Sequence, residues 1–369
     1  MKRFKIMTVL GTRPEIIRLS SLIKKIDRMT SQFEHILVHT GQNYDYELNE
    51  IFFQDLSLRK PDIFMNAAGQ TAMETIGNIL VKTERILLEH QPDAFLVLGD
   101  TNSALASIVA KRKHIPVFHM EAGNRSFDDL VPEELNRRIV DHTADYNLAY
   151  SVNSVQYLLK EGLKQERVFK TGSPMREVIH DQQARIQASM IVKKLHLTPK
   201  KYFVVSAHRE ENVDLPNRFS FLIATLNALA ETYHDPIIFS THPRTRKLME
   251  ARKVVLNPLI QTLKPLGFSD YISLQKHAAL VLSDSGTINE ETDILQLKAL
   301  NIRYSHERPE AEAMHVTILT GLEPGVVLPN VKKVLAGQHK QLGPVPDYLI
   351  DDFSSRVISV LIEKLSKTS

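Results

Sequence analysis

The chain has 369 residues, 43% of them hydrophobic and 24% charged, with a formal net charge of +3. That length suits two globular domains, and so nearly balanced a charge makes no case for a nucleic-acid partner. The sequence has no cysteine, which excludes disulfides, zinc–thiolate sites and thiol nucleophiles and fits a reducing, cytoplasmic setting. No run approaches the roughly 20 apolar residues that cross a bilayer, so no membrane partner is expected.

Phe4–Leu10 reads as a first strand, stopped by Gly11 and followed at once by Thr12-Arg13-Pro14-Glu15. This is a strand turning into a helix rather than a secretory leader. Thr12 and Glu15 have capping-box spacing, and Pro14 suits the first helical position. That leaves Arg13 without a capping duty. Arg13 and Arg18, two guanidinium groups near a helix N-terminus, suit a phosphate. A helix over Ile16–Ile26, a strand over His35–Thr40 and a helix over Thr71–Glu89 come next.

Three apolar runs then each lead into a carboxylate. Phe95–Gly99 ends in Asp100, Pro116–Met120 ends in Glu121, and Val131-Pro132 delivers Glu133 and Glu134. Short apolar runs bounded by Gly or Pro read as buried parallel strands. Ligands of open α/β sheets sit at the carboxyl ends of such strands. Asp100 and Glu121 are therefore expected side by side at the mouth of a crevice, with Glu133 on the loop and helix start that follow. Mutual repulsion would leave one of them protonated near neutral pH, which supplies an acid and a base from one residue type. The plainer alternative is that Asp100 caps the helix beginning near Asn102 and that Glu134 faces solvent.

Helices over Ala104–Lys111 and Ser154–Glu161 and a strand over Tyr146–Tyr150 continue the alternation. Val168–Gly172 closes the first half, and Ser173-Pro174 breaks the chain. The pattern then restarts, with strands over Tyr202–Ala207, Pro236–Thr241, Ala279–Ser283, Ala299–Tyr304 and Val316–Leu319. Helices are expected over Asn217–Thr232 and Ile288–Leu297. The fold class is α/β: two Rossmann-like domains, 1–172 and 173–350, and a terminal amphipathic helix, 351–369, packing back on the first.

In the second half, Ser285-Gly286 offers backbone N–H groups at a helix start, where a diphosphate can approach. Thr287 and Glu290 repeat the capping-box spacing, and Glu291, one turn in, suits the two hydroxyls of a ribose. His208 opens a polar burst directly after a strand, and His242 follows another. Arg308 beside Glu310 is either a surface pair or a clamp on phosphate or sugar. G-x-G-x-x-G is absent, so no bound NAD or other cofactor is expected. No metal is expected either.

These motifs resemble, in order and over essentially the whole length, the non-hydrolysing UDP-N-acetylglucosamine 2-epimerases. The matching strings are Gly11-Thr12-Arg13-Pro14-Glu15, Gly99-Asp100-Thr101, Glu121-Ala122-Gly123, Pro132-Glu133-Glu134, His208-Arg209, Asp284-Ser285-Gly286 and Glu307-Arg308-Pro309-Glu310. The resemblance implies the glycosyltransferase-B architecture, two Rossmann-like domains around a central cleft, and an enzyme without metal or nicotinamide. It implies removal of the C2 proton with loss of UDP, then re-addition of UDP with a proton on the other face. By correspondence, Asp100, Glu121, Glu133 and His208 form the catalytic group, with the identity of the base left open. Arg13, His242, Ser285, Gly286 and Glu291 would hold UDP, Arg308 the diphosphate or sugar, and Tyr271 would lie near the uracil. A homodimer is implied as well.

The chain departs from the best-known members at Gln42-Asn43-Tyr44, where they carry Gln-His-Arg in a region linked to allosteric substrate binding. Asn124 replaces Leu and Thr287 replaces Gly. The strings His39–Tyr46 and Gly123–Asp128 resemble a branch that makes UDP-N-acetyl-L-fucosamine from its 2-epimeric 6-deoxy-L-talose sugar, for surface polysaccharide. The alternatives are epimerisation of UDP-N-acetylglucosamine to the manno sugar and, from another class, a UDP-sugar glycosyltransferase.

Overall fold

A computed structural model describes residues 3–42, 46–128, 131–207, 209–241, 243–305 and 307–368, with the backbone alone at 46–49, 210, 211, 243, 244 and 368. The chain forms two compact units, Met1–Asp181 with Pro346–Ser369, and Gln182–Val345. Both are Rossmann-like, as expected, and the fold class is that of the glycosyltransferase-B architecture.

The first unit holds a sheet of seven parallel strands in the order β3-β2-β1-β4-β5-β6-β7. They are β1 (Phe4–Leu10), β2 (Phe33–His39), β3 (Ile63–Phe64), β4 (Ala94–Leu98), β5 (Val117–Ala122), β6 (Tyr146–Ala149) and β7 (Val168–Lys170). Residues on both faces of β1 and β4 are buried, which is why these strands read as unbroken apolar runs. Met7, Val9, Val38, Phe95, Val97 and Val117 share one core with Ile79 and Leu87 from the helix Ala72–His90.

The strand order reverses between β1 and β4, so the crevice outside their carboxyl ends is the natural ligand site. Gly11 follows β1 and Asp100 follows β4. The second unit repeats the scheme in six strands, β10-β9-β8-β11-β12-β13. These are β8 (Phe203–Ser206), β9 (Ile237–Ser240), β10 (Ile260–Leu263), β11 (Leu280–Ser283), β12 (Ala299–Asn301) and β13 (Ile318–Leu319). Its reversal lies between β8, which leads to Arg209, and β11, which leads to Asp284.

The division between units falls one helix later than the expected 172/173 boundary. The helix Met175–Asp181 packs on the helix Arg13–Arg28, and Ser21 Oγ donates to Asp181 Oδ2 at 2.8 Å. The returning segment likewise begins at Pro346 rather than 351. Asp347 accepts from Lys170 Nζ at 2.6 Å and from Val152 N at 3.2 Å, which ties it to the first sheet. The helix Phe353–Thr368 packs on Arg13–Arg28.

The sequence pattern places a helix start at Glu133 but does not trace the rest of the helix Pro132–Thr143. Its Leu135 is 63% exposed, whereas Glu134, Asn136, Arg137 and Asp141 are buried. A helix that buries its polar face shows no apolar stripe to read. Strands β3 and β10 are missed because two or four residues at a sheet edge are too few to show a period.

Candidate active site

In the first unit, the loop after β1 is tied down by one side chain. Glu15, buried at the start of its helix, accepts from Gly11 N at 2.9 Å, Thr12 N at 2.8 Å and Thr12 Oγ1 at 2.8 Å. Its other oxygen accepts from Thr101 Oγ1 at 2.9 Å, which joins the β1 loop to the residue after Asp100. Burial pushes the Glu15 carboxyl up to about 7, against the opposing effect of these hydrogen bonds. The reading of Glu15 as a capping residue is correct, and it also sets the switch-point crevice. Arg13, half-buried, lies over the Phe52 ring at 5.7 Å.

Asp100 and Glu121 are brought to the same guanidinium. Arg137 Nη2 pairs with Asp100 Oδ2 and lies 3.8 Å from Glu121 Oε1, while its Nη1 donates to the Glu121 carbonyl. Arg18 Nη1 lies 3.0 Å from Glu121 Oε2. The expected repulsion between two bare carboxylates is therefore corrected: arginine cations separate them. Arg18 is corrected too. Five residues after Arg13 is well over one helical turn, so its buried side chain turns into the unit, onto Glu121 and over Tyr150 at 5.7 Å, instead of joining Arg13. The cap of the short helix Asn102–Ala106 is Thr101 rather than Asp100: its hydroxyl accepts from Ser103 N at 3.2 Å. Glu134 is buried rather than solvent-facing and accepts from Ser126 N at 2.8 Å and Arg138 Nε at 3.0 Å.

Glu133 is half-buried in the first turn of Pro132–Thr143. Residues 133, 136, 137, 140 and 141 lie on one face of that helix. Asn136 Nδ2 donates to the Asp100 carbonyl at 2.9 Å, and Arg137 from the same face reaches Asp100 and Glu121. Arg137 and Asn136 were not singled out from sequence. The signal was there: one helical period counted from Glu133 reaches both.

Beneath them lies Asp141, fully buried, with His119 Nδ1 at 2.9 Å and Arg125 Nη1 at 2.7 Å. Burial alone would raise its carboxyl, but His119 and the guanidinium groups of Arg125 and Arg137 hold it below the ordinary value. Asn124 touches the site directly. Its Nδ2 donates to Glu121 Oε1 at 3.4 Å, and its Oδ1 accepts from Ser154 Oγ at 2.7 Å.

In the second unit, buried Asp284 accepts from Arg209 N at 3.0 Å and Asn212 Nδ2 at 3.1 Å, joining the loops at its switch point. Ser285 and Gly286 lead into the helix Ile288–Leu295. Among the described residues, a Cβ at Gly286 would meet Arg209 Nη2 at 3.4 Å and Glu307 Oε1 at 3.8 Å. The second capping box is a correction. Thr287 already has near-helical angles, φ −94° and ψ −8°, so its hydroxyl turns forward and donates to Glu291 Oε1 at 2.6 Å.

Glu290 faces Arg308 Nη2 at 3.4 Å, both groups buried. Glu291 Oε2 accepts from Gln275 Nε2 at 2.9 Å. Arg308 is thus no surface pair. Tyr271, half-buried, packs on the core formed by Tyr202, Leu274 and Ile288. His208, His242 and residues 43–45 lie outside the described residues. Among the described residues no group of histidines and carboxylates has a metal-binding arrangement, and no helix is long and apolar enough to cross a membrane.

Two parallel sheets, one with paired carboxylates beside its switch point, are the frame of the glycosyltransferase-B architecture. Comparison with known proteins narrows the class. The profile of the UDP-N-acetylglucosamine 2-epimerase family matches residues 24–362, and the chain belongs to that family of isomerases. The solved UDP-N-acetylglucosamine 2-epimerase of Rickettsia bellii is 43% identical, with TM-score 0.90, over 99% of this chain and 98% of that one. The UDP-N-acetylglucosamine 2-epimerase of Methanocaldococcus jannaschii, solved with UDP-N-acetylglucosamine and UDP, is 32% identical, with TM-score 0.90, over 97% and 99%. A UDP-2,3-diacetamido-2,3-dideoxy-D-glucuronate 2-epimerase of Pseudomonas aeruginosa is 31% identical over 90% of this chain and 92% of its own length.

Proposed function

We propose that the chain epimerises C2 of a UDP-N-acetylamino sugar by elimination and re-addition of UDP, with Asp100, Glu121, Glu133 and His208 as its acid–base group. One of them takes the C2 proton as the C1–oxygen bond to UDP breaks, leaving a 2-acetamidoglycal and free UDP. The UDP oxygen then adds back to C1 while a second group delivers a proton to the opposite face of C2. What carries this reading is the convergence of Asp100 and Glu121 on Arg137, a pair of oriented carboxylates beside a switch point. Transfer of a sugar to an acceptor has no use for a base at C2. Arg13, His242, Ser285, Gly286 and Glu291 hold the nucleotide in this reading, Arg308 the diphosphate or sugar, and Tyr271 the uracil side. Arg18 orients Glu121. No metal or cofactor takes part. A cytoplasmic homodimer belongs to the same reading, and size-exclusion chromatography with light scattering tests the dimer.

The substrate we assign is the 6-deoxy-L-talo sugar, converted to UDP-N-acetyl-L-fucosamine for surface polysaccharide. Support comes from Asn124, one of the residues in which this chain departs from the better-known members, and its contact with Glu121. The relatives also act on more than one sugar, as the Pseudomonas aeruginosa enzyme indicates. UDP-N-acetylglucosamine is the second reading, favoured by the names of the other relatives. A competition assay in heavy water, with both UDP-sugars at equal concentration and C2 followed by NMR, decides between them. Faster exchange and conversion of the L-talo sugar is expected. Preference for UDP-N-acetylglucosamine selects the second reading, and C2 exchange in neither sugar ends both.

A further inference from the structure

The acid–base reading leaves a fully buried ion cluster beneath the two carboxylates without a task. Asp141 accepts the backbone N–H of Gly123 on both oxygens at 3.2 Å and lies at ion-pair distance from Arg125 Nη1, 2.7 Å, and His119 Nδ1, 2.9 Å. Arg125 is held in turn by Glu161 through Nε at 2.8 Å and Nη2 at 2.6 Å, and donates to the Asn124 carbonyl at 2.7 Å. Taking this many charges out of water is a poor way to gain stability, because desolvation offsets the mutual attraction.

The partners of Asp141 reach both carboxylates: His119 and Gly123 lie two residues on either side of Glu121, and His119 also reaches the backbone before Asp100. His119 Nε2 donates at 2.7 Å to the carbonyl of Gly99, the residue before Asp100. Gly123 is two residues after Glu121. Between those anchors the backbone is strained. Glu121 has φ +61°, a region a residue with a β-carbon rarely occupies, and the pairing of β5 with β6 shifts register between Met120 and Ala122. Gly123 has φ +80°, and a Cβ there would meet the Ser154 carbonyl at 2.4 Å. Strain of this kind persists only where surrounding groups over-determine it.

We propose that Asp141 is a positioning residue for the C2 chemistry: through Gly123 it holds Glu121 in its left-handed conformation, and through His119 it holds the carbonyl that precedes Asp100. One buried carboxylate thereby sets the spacing of the two groups at the reacting carbon. The proposal rests on the epimerase reading, in which Asp100 and Glu121 work at C2.

The test is Asp141→Asn in the full chain, which keeps the shape and one acceptor but removes the charge facing Arg125 and His119. The kcat for C2 epimerisation is expected to fall at least ~10-fold, since small misplacements of reacting groups are costly. KM is expected to stay within about threefold, because Asp141 lies beneath the site. Glu161→Gln loosens the same Arg125 without touching Gly123 or His119, and is expected to lower thermal stability with kcat unchanged. Wild-type kcat in Asp141→Asn overturns the proposal, as does an equal loss of kcat in both variants.

If Asp141→Asn does not fold, His119→Gln, which keeps a donor for the Gly99 carbonyl, is compared with His119→Ala. A higher kcat in the Gln variant supports the proposal, and equal values overturn it. Wild-type protein inactive on every UDP-sugar sinks the epimerase reading instead. Positioning is then judged from a crystal structure of Asp141→Asn, or of His119→Ala. Glu121 leaving positive φ supports it, and an unmoved Glu121 overturns it.

Discussion

Glu121 shows how little a residue's type determines what it does. It is a strand residue with positive φ, buried, with one oxygen on Arg18 and the other near Arg137 and Asn124. A solvated surface glutamate has the same chemistry and none of this orientation. Glu121→Gln keeps the shape and some of the hydrogen bonds but cannot exchange a proton, and Asp100→Asn is equivalent. Each is expected to reduce turnover by about 10²-fold or more, the usual contribution of a general acid or base. Thermal stability is expected to fall as well, since each substitution takes a counter-charge from a buried arginine. Steady-state rates beside melting curves check both points, and a Glu121→Gln protein with full activity would remove Glu121 from the mechanism.

Among the elements, the helix start at Thr12–Glu15 is the most exactly specified from sequence and also the most sensitive to pH. The folded chain keeps the Glu15 proton up to about pH 7, while an unfolded chain releases it near the ordinary glutamate value of 4.5. Between those values the folded state binds more protons, so stability is highest below the lower value and falls as pH rises through the upper one. A shift of that size corresponds to about 3 kcal/mol. Urea denaturation across this pH range is expected to show the decline in the wild type and a flatter profile in Glu15→Gln. Parallel profiles would mean that Glu15 is not the titrating group. The helix Pro132–Thr143 is the opposite case. It exposes Leu135 and Ile139 and buries Glu134, Asn136, Arg137 and Asp141 beside Val140, so hydropathy conceals it, although its carboxylates were legible as chemistry.

At the scale of the whole molecule, the chain returns to its first unit at its end. Phe353, Val357, Ile358, Leu361 and Leu365 are buried there. Phe353 meets Tyr150 edge-on at 5.8 Å, and Ser354 N donates to Glu177 Oε2 at 2.8 Å. At about 1.5–3 kcal/mol for each buried side chain, removing this segment costs roughly as much as the whole net stability of a typical domain. A chain ending at Val345 is therefore expected to lose the cooperative unfolding of its first unit while the second keeps its own core. Differential scanning calorimetry with both transitions intact would contradict this.

The sequence by itself determined the alternation of strand and helix, the reversal-point loops and the carboxylates at the ends of β4, β5 and β11. Those features are local: an apolar run, a glycine and a polar residue are neighbours in the chain, and their period or spacing carries the information. Only the tertiary structure decided that Arg137 reaches both Asp100 and Glu121, that Arg18 turns onto Glu121, and that Thr101 shares Glu15 with the β1 loop. These contacts join positions as many as 103 residues apart. They are set by strand order and by which helix face lies on which loop, and no local pattern in the chain encodes either.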